Sequence, residues 1–117
     1  MKPKPHEMLK TIKAFVLDMD GTIYLSDHLL PGAKDFVAFL QHAKTPFLFL
    51  TNNSSRHRGE YAAKINRLGL PISEEKVFTS GEATAIFLKG HFPGAKLFVV
   101  GTPSLEQEFI SHGFELE

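Results

Sequence analysis

The run Phe15-Val16-Leu17-Asp18-Met19-Asp20-Gly21-Thr22 constrains the fold of this chain most. An apolar stretch without alternation suits a parallel strand covered on both faces, and here it runs straight into two acids. Strand side chains alternate in direction, so Asp18 and Asp20 are expected to face one cleft while Met19 turns into packing. Two carboxylates held together where a buried strand ends are the layout of a phosphoryl-transfer nucleophile with its acid/base partner.

Similar runs recur down the chain: Phe47-Leu48-Phe49-Leu50, Val77-Phe78-Thr79 and Leu97-Phe98-Val99-Val100. Helix-like segments separate them. After Pro31-Gly32, the residues Ala33, Phe36, Val37, Leu40 and Ala43 recur at helical spacing. A second helix is expected from about Ser55 to Leu68, with Tyr61, Ala62, Ile65 and Leu68 inside and Gly69 ending it. A third starts near Thr79, which has capping-box spacing to Glu82, with Ala83, Ile86 and Phe87 as its inner stripe before Gly90. A fourth has Thr102 as cap, Pro103 at the first helical position, Leu105, Phe109 and Ile110 inside and Gly113 at its end.

Alternating strands and helices predict an α/β fold with a Rossmann-like parallel sheet, whose ligands collect beyond the carboxyl ends of the strands. Asp18 to Thr22 and Thr51 to Ser55 both follow a strand directly, so they are expected side by side at that edge. Phe15, Phe36, Phe47, Phe49, Phe78, Phe87, Phe98 and Phe109 all fall within expected elements and read as core.

With 117 residues, 43% hydrophobic and 22% charged, the chain has the apolar content for one modest globular domain. Thirteen basic and thirteen acidic residues cancel, so no overall field favours nucleic acid or an anionic membrane, and a compact ligand is the expected partner. Without cysteine there is no disulfide framework or thiolate metal site, and no apolar run is long enough for a bilayer. No signal peptide is apparent, and the expected location is cytoplasmic. The six histidines show no three- or four-residue pairing on one helix and read as surface residues. Lys2 to Lys13 carry a mild basic bias that reads as a solvated tail.

The pairing of Asp18-Met19-Asp20-Gly21-Thr22 with Thr51-Asn52-Asn53-Ser54 resembles the first two motifs of the haloacid dehalogenase superfamily, most of whose members are magnesium-dependent phosphatases. Leu30-Pro31-Gly32-Ala33, Thr79-Ser80-Gly81-Glu82-Ala83-Thr84 and Val100-Gly101-Thr102-Pro103 resemble its NagD-like, or p-nitrophenyl phosphatase, branch. The 33 positions from Asp18 to Thr51 (51 − 18) hold one hairpin-like flap and one helix, with no space for a cap domain. NagD-like proteins carry an α/β cap later, and the stretch from about Pro93 resembles its opening. The expected division is therefore a tail over residues 1–12, part of a core over 13–92 and the start of a cap over 93–117.

The resemblance implies that Asp18 attacks phosphorus and becomes an aspartyl-phosphate, while Asp20 protonates the leaving oxygen and then activates water. It implies that Mg2+ is held by Asp18 and by the Asp20 backbone carbonyl with phosphate and water oxygens. Gly21 lets the backbone approach the phosphate, and Thr51 and Asn52 offer donors to the phosphoryl oxygens. Asn53 and Ser54 help orient substrate or cap. An Asp-x-Asp-Gly triplet also occurs in calcium loops and ordinary turns, but Ile23, Tyr24 and Leu25 follow where further oxygen ligands are needed. Ser55 reads as a helix cap; Arg56 and Arg58 follow the second motif, where contact with an anionic substrate is one reading and simple solvation at a helix start the other, and neither is assigned to the site.

The family also requires a lysine in a third motif and acids in a fourth, and the chain reaches Glu117 before either. The expectation is an N-terminal portion of a phosphatase, inactive or nearly so alone, which needs a C-terminal half or self-associates over an exposed sheet edge and an uncovered apolar face. The alternatives are a non-catalytic phosphate- and magnesium-binding or interaction module, and a phosphotransferase or mutase.

Overall fold

A computed structural model describes residues 11–117. Residues 1–10 of the expected tail lie outside the described residues. The central sheet has three parallel strands in the order β1 (Phe15–Asp18), β4 (Phe47–Thr51), β5 (Val77–Thr79). Phe15 pairs with Phe47 and Asp18 with Leu50, then Phe49 pairs with Val77 and Thr51 with Thr79. Between β1 and β4 stand the two-residue strands β2 (Tyr24–Leu25) and β3 (His28–Leu29), an antiparallel hairpin, and helix α1 (Ala33–His42). The chain then runs through α2 (Arg58–Leu68), a single 3-10 turn at Glu74–Lys76, and α3 (Ser80–His91). A separate parallel pair, β6 (Lys96–Leu97) and β7 (Glu115–Leu116), flanks α4 (Pro103–Ser111).

The main core lies on one face of the sheet. Val37 and Leu40 of α1, Tyr61, Ala62 and Ile65 of α2, and Phe47 and Phe49 of β4 pack there with Met19, Ile23 and Tyr24. Phe49 sits at its centre, fully buried, with its ring edge-on to Phe47. A smaller cluster joins Ala85 of α3 to Phe109 and Phe114, with Leu88, Leu97 and Leu105 packed against it. Leu105 also approaches Gly81 and Gly101 so closely that a Cβ at either would lie under 3.0 Å from it, so these two glycines allow α4 to dock.

Several elements differ from their sequence signals. α2 starts at Arg58 rather than Ser55, because His57 provides the cap: its Nδ1 accepts the N–H groups of Gly59 and Glu60, and Glu60 returns a bond to the His57 N–H. Gly69 ends the helix as expected, in the left-handed conformation with φ 113°. Thr79 caps α3 by accepting from the Glu82 N–H, but the Glu82 carboxylate turns to Arg58 instead of closing a box. α3 also continues through Gly90 to His91.

The stripe Ala83, Ile86 and Phe87 is not an inner one. Ala85 is the buried residue of that turn, while Ile86 and Phe87 are more than half exposed. Ile110 of α4 is also exposed, and Ala43 follows α1 as an exposed cap residue. The run Leu97 to Val100 pairs only at Leu97, and Phe98 and Val100 point outward at 75% and 88% exposure. Nor, among the described residues, is the central sheet covered on both faces: Val16 of β1, an edge strand there, and Leu50 of β4 lie on a bare side at 65% and 41% exposure.

Leu40 is fully buried between α1 and the sheet. Leu40→Ala is expected to destabilise the fold by about 2–5 kcal/mol through lost burial and a residual cavity, seen as a lower urea midpoint at unchanged slope.

Candidate active site

β1 and β4 run in the same direction, so both polar motifs emerge at one edge. Asp18, Asp20, Thr51, Asn52 and Asn53 line a single cleft of 710 Å³ together with Tyr24, Leu25, Ser26, Ser55, Arg56, Tyr61 and Lys64. Asp18 and Asp20 are exposed to it, and Met19 between them is 1% exposed, so the alternation expected from strand geometry is present.

The turn after β1 is built around one carbonyl. Met19 O accepts the N–H groups of Thr22, Ile23 and Tyr24, at 3.1, 2.8 and 3.3 Å, and the Gly21 N–H donates to Tyr24 O at 2.8 Å. Gly21 takes φ 81°, a left-handed conformation that a side chain would strain. This turn carries Asp20 back over the strand end and delivers Tyr24 to the cleft floor. Burial above all, then Tyr61, Asp20 and Asp18, push the Tyr24 phenol above its ordinary range, so it keeps its proton and remains a donor.

The second motif is held from several sides. Thr51 Oγ1 accepts the Asn53 N–H at 3.1 Å, which leaves the hydroxyl hydrogen available to an acceptor in the cleft. Ser80 Oγ donates to Asn52 O at 3.0 Å, Tyr61 Oη to Asn53 O at 3.2 Å, and Thr102 Oγ1 to Ser55 O at 2.7 Å. Three helix regions therefore fix this loop. The Asn53 side-chain oxygen is committed to the Ser55 N–H at 3.0 Å, whereas the Asn52 carboxamide has no protein partner among the described residues. Asn52 is thus the freer of the two for a ligand.

Asp18, Thr51 and Asn52 also border a second groove, of 560 Å³, whose apolar wall is Val16, Leu50, Phe78 and Ala83 on the bare side of the sheet. Arg58 leaves the cleft for Glu82, at 3.5 Å. Two carboxylates beside a hydroxyl and an amide form a set of hard oxygen donors, which fits an ion such as magnesium that takes few protein ligands. Among the described residues no group of three or more His, Asp or Glu could close a metal cage.

The profile of the haloacid dehalogenase-like hydrolase family matches residues 15–115. The chain belongs to that family. An acid sugar phosphatase of Staphylococcus saprophyticus is 34% identical over 109 residues, covering 93% of this chain and 42% of the relative. A 5'-nucleotidase of Bacillus subtilis is 35% identical over 105 residues, covering 90% and 41%. Among solved structures, a 4-nitrophenylphosphatase from Thermotoga maritima superposes with a TM-score of 0.89 at 39% identity, over 93% of this chain and 42% of that one. NagD of E. coli K-12 gives 0.83 at 31% identity, over 92% and 42%. The chain thus spans about 42% of the length of the relatives it matches. The resemblance to NagD-like hydrolases and the α/β sheet both hold.

Among the cleft residues, the sequence reading does not single out Tyr24, Tyr61 and Lys64 for the site, and it weighs Arg56 there without assigning it. Tyr61 reads as core from its spacing. The signal of Tyr61 and Lys64 is the face they share on α2, because the two are three apart and lie over the hairpin that carries Tyr24.

Glu60 couples the start of α2 to α4. The Ser104 hydroxyl foremost, then the His57 N–H, the His57 ring and Arg56, hold its carboxyl below the ordinary 4.5 against an opposing burial effect. A depressed acid contributes stability that is present above its ordinary value and lost as pH falls through the folded one. Glu60→Gln is therefore expected to flatten the acid-side fall of stability below pH 4.5, read from melting temperatures measured across that range.

Proposed function

We propose that the chain carries the nucleophile half of a magnesium-dependent phosphate monoester hydrolase acting on a small phosphorylated metabolite. The observation that carries this reading is the convergence of Asp18, Asp20, Thr51 and Asn52 on one cleft at the carboxyl ends of parallel strands. The names of the relatives, an acid sugar phosphatase, a 5'-nucleotidase and a 4-nitrophenylphosphatase, support a phosphate ester as substrate.

In this reading an Asp18 oxygen attacks phosphorus as the ester P–O bond breaks, and the alcohol leaves with the proton of Asp20. Asp20, now a carboxylate, takes a proton from water as the water oxygen attacks the aspartyl-phosphate, which returns Asp18 and releases phosphate. The Thr51 hydroxyl and the Asn52 amide donate to the phosphoryl oxygens throughout, and Gly21 keeps the loop backbone close to them. Asn53 acts through the loop by holding Ser55. Asp18 and the Asp20 carbonyl would hold Mg2+, which supplies neutralising charge to the phosphate when bound. We also propose that residues 93–117 open a second α/β unit, because β6 and β7 pair apart from the central sheet over a second apolar cluster, which they share with α3.

A second reading, a module that binds phosphate and magnesium without turnover, is favoured by the sparse ligand set, since among the described residues no three His, Asp or Glu side chains gather around a metal position. The test gives the 117-residue chain p-nitrophenyl phosphate and magnesium. Metal-dependent nitrophenol release that Asp18→Asn abolishes, and that Asp20→Asn lowers by about 10²–10⁴-fold, is the expected result for the hydrolase. Phosphate binding that needs magnesium but yields no nitrophenol supports the module. Neither binding nor release overturns both.

A further inference from the structure

The α2 side of the cleft carries two cations that the reaction above does not use. Arg56 lies just before the His57 cap, and Lys64 stands about two turns into α2. Both line the cavity that holds Asp18 and Asp20. Among the described residues neither forms a close ion pair, although the Arg56 charge is felt at the Glu60 carboxyl; the ion pairs are His57 with Glu60, Arg58 with Glu82, Lys96 with Glu115 and His112 with Glu108. The contrast with Arg58, two positions from Arg56 and already taken by Glu82, is informative.

Lys64 is positioned as well as unpaired. Its ammonium lies 4.2 Å from the centroid of the Tyr24 ring, and that ring is buried in the cleft floor. A cation held on an aromatic face keeps N–H donors for an incoming anion. Arg56 brings a second set of donors in a planar fork suited to carboxylate or phosphate. The acids and phosphate-facing donors come from the strand ends, whereas the two cations come from α2 and the loop before it, so the cleft is electrically divided. A phosphate ester with an uncharged alcohol leaves the α2 side unmatched.

Resting on the phosphate-ester reading, we infer that Arg56 and Lys64 select substrates whose alcohol portion carries a second anionic group, a carboxylate or another phosphate, remote from the ester that is cleaved. Complementary charge in a half-open cleft acts chiefly on specificity and encounter, so the effect falls on discrimination between ligands of equal size.

The test uses three open-chain six-carbon probes with the 117-residue chain and magnesium: sorbitol 6-phosphate with a neutral far end, 6-phosphogluconate with a carboxylate there, and sorbitol 1,6-bisphosphate. Dissociation constants come from calorimetric titration. At least one doubly anionic probe is expected to bind about tenfold tighter than sorbitol 6-phosphate, and which one does so identifies the second group. Arg56→Gln and Lys64→Gln are each expected to bring that ratio below about threefold, and Arg56→Lys and Lys64→Arg to restore it, as a charge effect requires and a lost stem contact does not. Equal affinity for all three probes, or a ratio that survives both glutamine variants, overturns this inference and leaves the phosphate site standing. If neither sorbitol 6-phosphate nor inorganic phosphate binds, the phosphate-ester reading falls and this inference falls with it.

Discussion

The parallel ladder between β1 and β4 is the constraint on which the rest of the site depends. Only a parallel pair puts two successive strand ends at the same edge, and the register of Asp18 against Leu50 leaves Thr51 one residue beyond the acid. Antiparallel pairing would send one motif to the opposite edge. The intervening hairpin and α1 are the crossover that makes the parallel arrangement possible, and their apolar residues hold it down by burial: Val37 and Leu40 from above, Phe47 and Phe49 from the sheet.

A strand end alone does not give a rigid site, and here rigidity comes from backbone groups bonded at short range. Met19 O gathers three N–H groups and fixes the turn that returns Asp20 to the cleft. The second motif is fixed differently, by side chains reaching its carbonyls from α2, α3 and the cap of α4. A loop with its carbonyls occupied presents its remaining donors outward, toward the same space as the acids. The apolar groove on the far side of Asp18 and Thr51 marks where this order stops, because Val16 and Leu50 have no covering layer among the described residues.

Much of this was legible in the chain. The three sheet strands, the hairpin before α1, Thr102 with Pro103 at the start of α4, and Gly69 at the end of α2 follow from rules that act within a few residues. The readings that failed concern which side of an element is covered. Ile86 and Phe87 have helical spacing, yet α3 buries Gly81 and Ala85, because close contact with Leu105 needs small residues. Phe98 and Val100 look like strand core but stand outside any ladder. His57 as a cap was hidden because Ser54 and Ser55 stand shortly before it and a ring nitrogen is an uncommon acceptor for this purpose.

The site divides along the same line. Apolar runs, alternation and glycine placement determined by themselves that Asp18, Asp20, Thr51 and Asn52 belong to one strand-end cleft, because the period of a strand and the direction of a parallel pair are local properties of the backbone. Only the tertiary structure decided that Tyr24, Tyr61, Arg56 and Lys64 join them, and that the Asn53 side-chain oxygen is taken by its own loop. Those placements depend on how α2 lies against the hairpin, and packing between elements distant in sequence leaves no periodic trace in the chain.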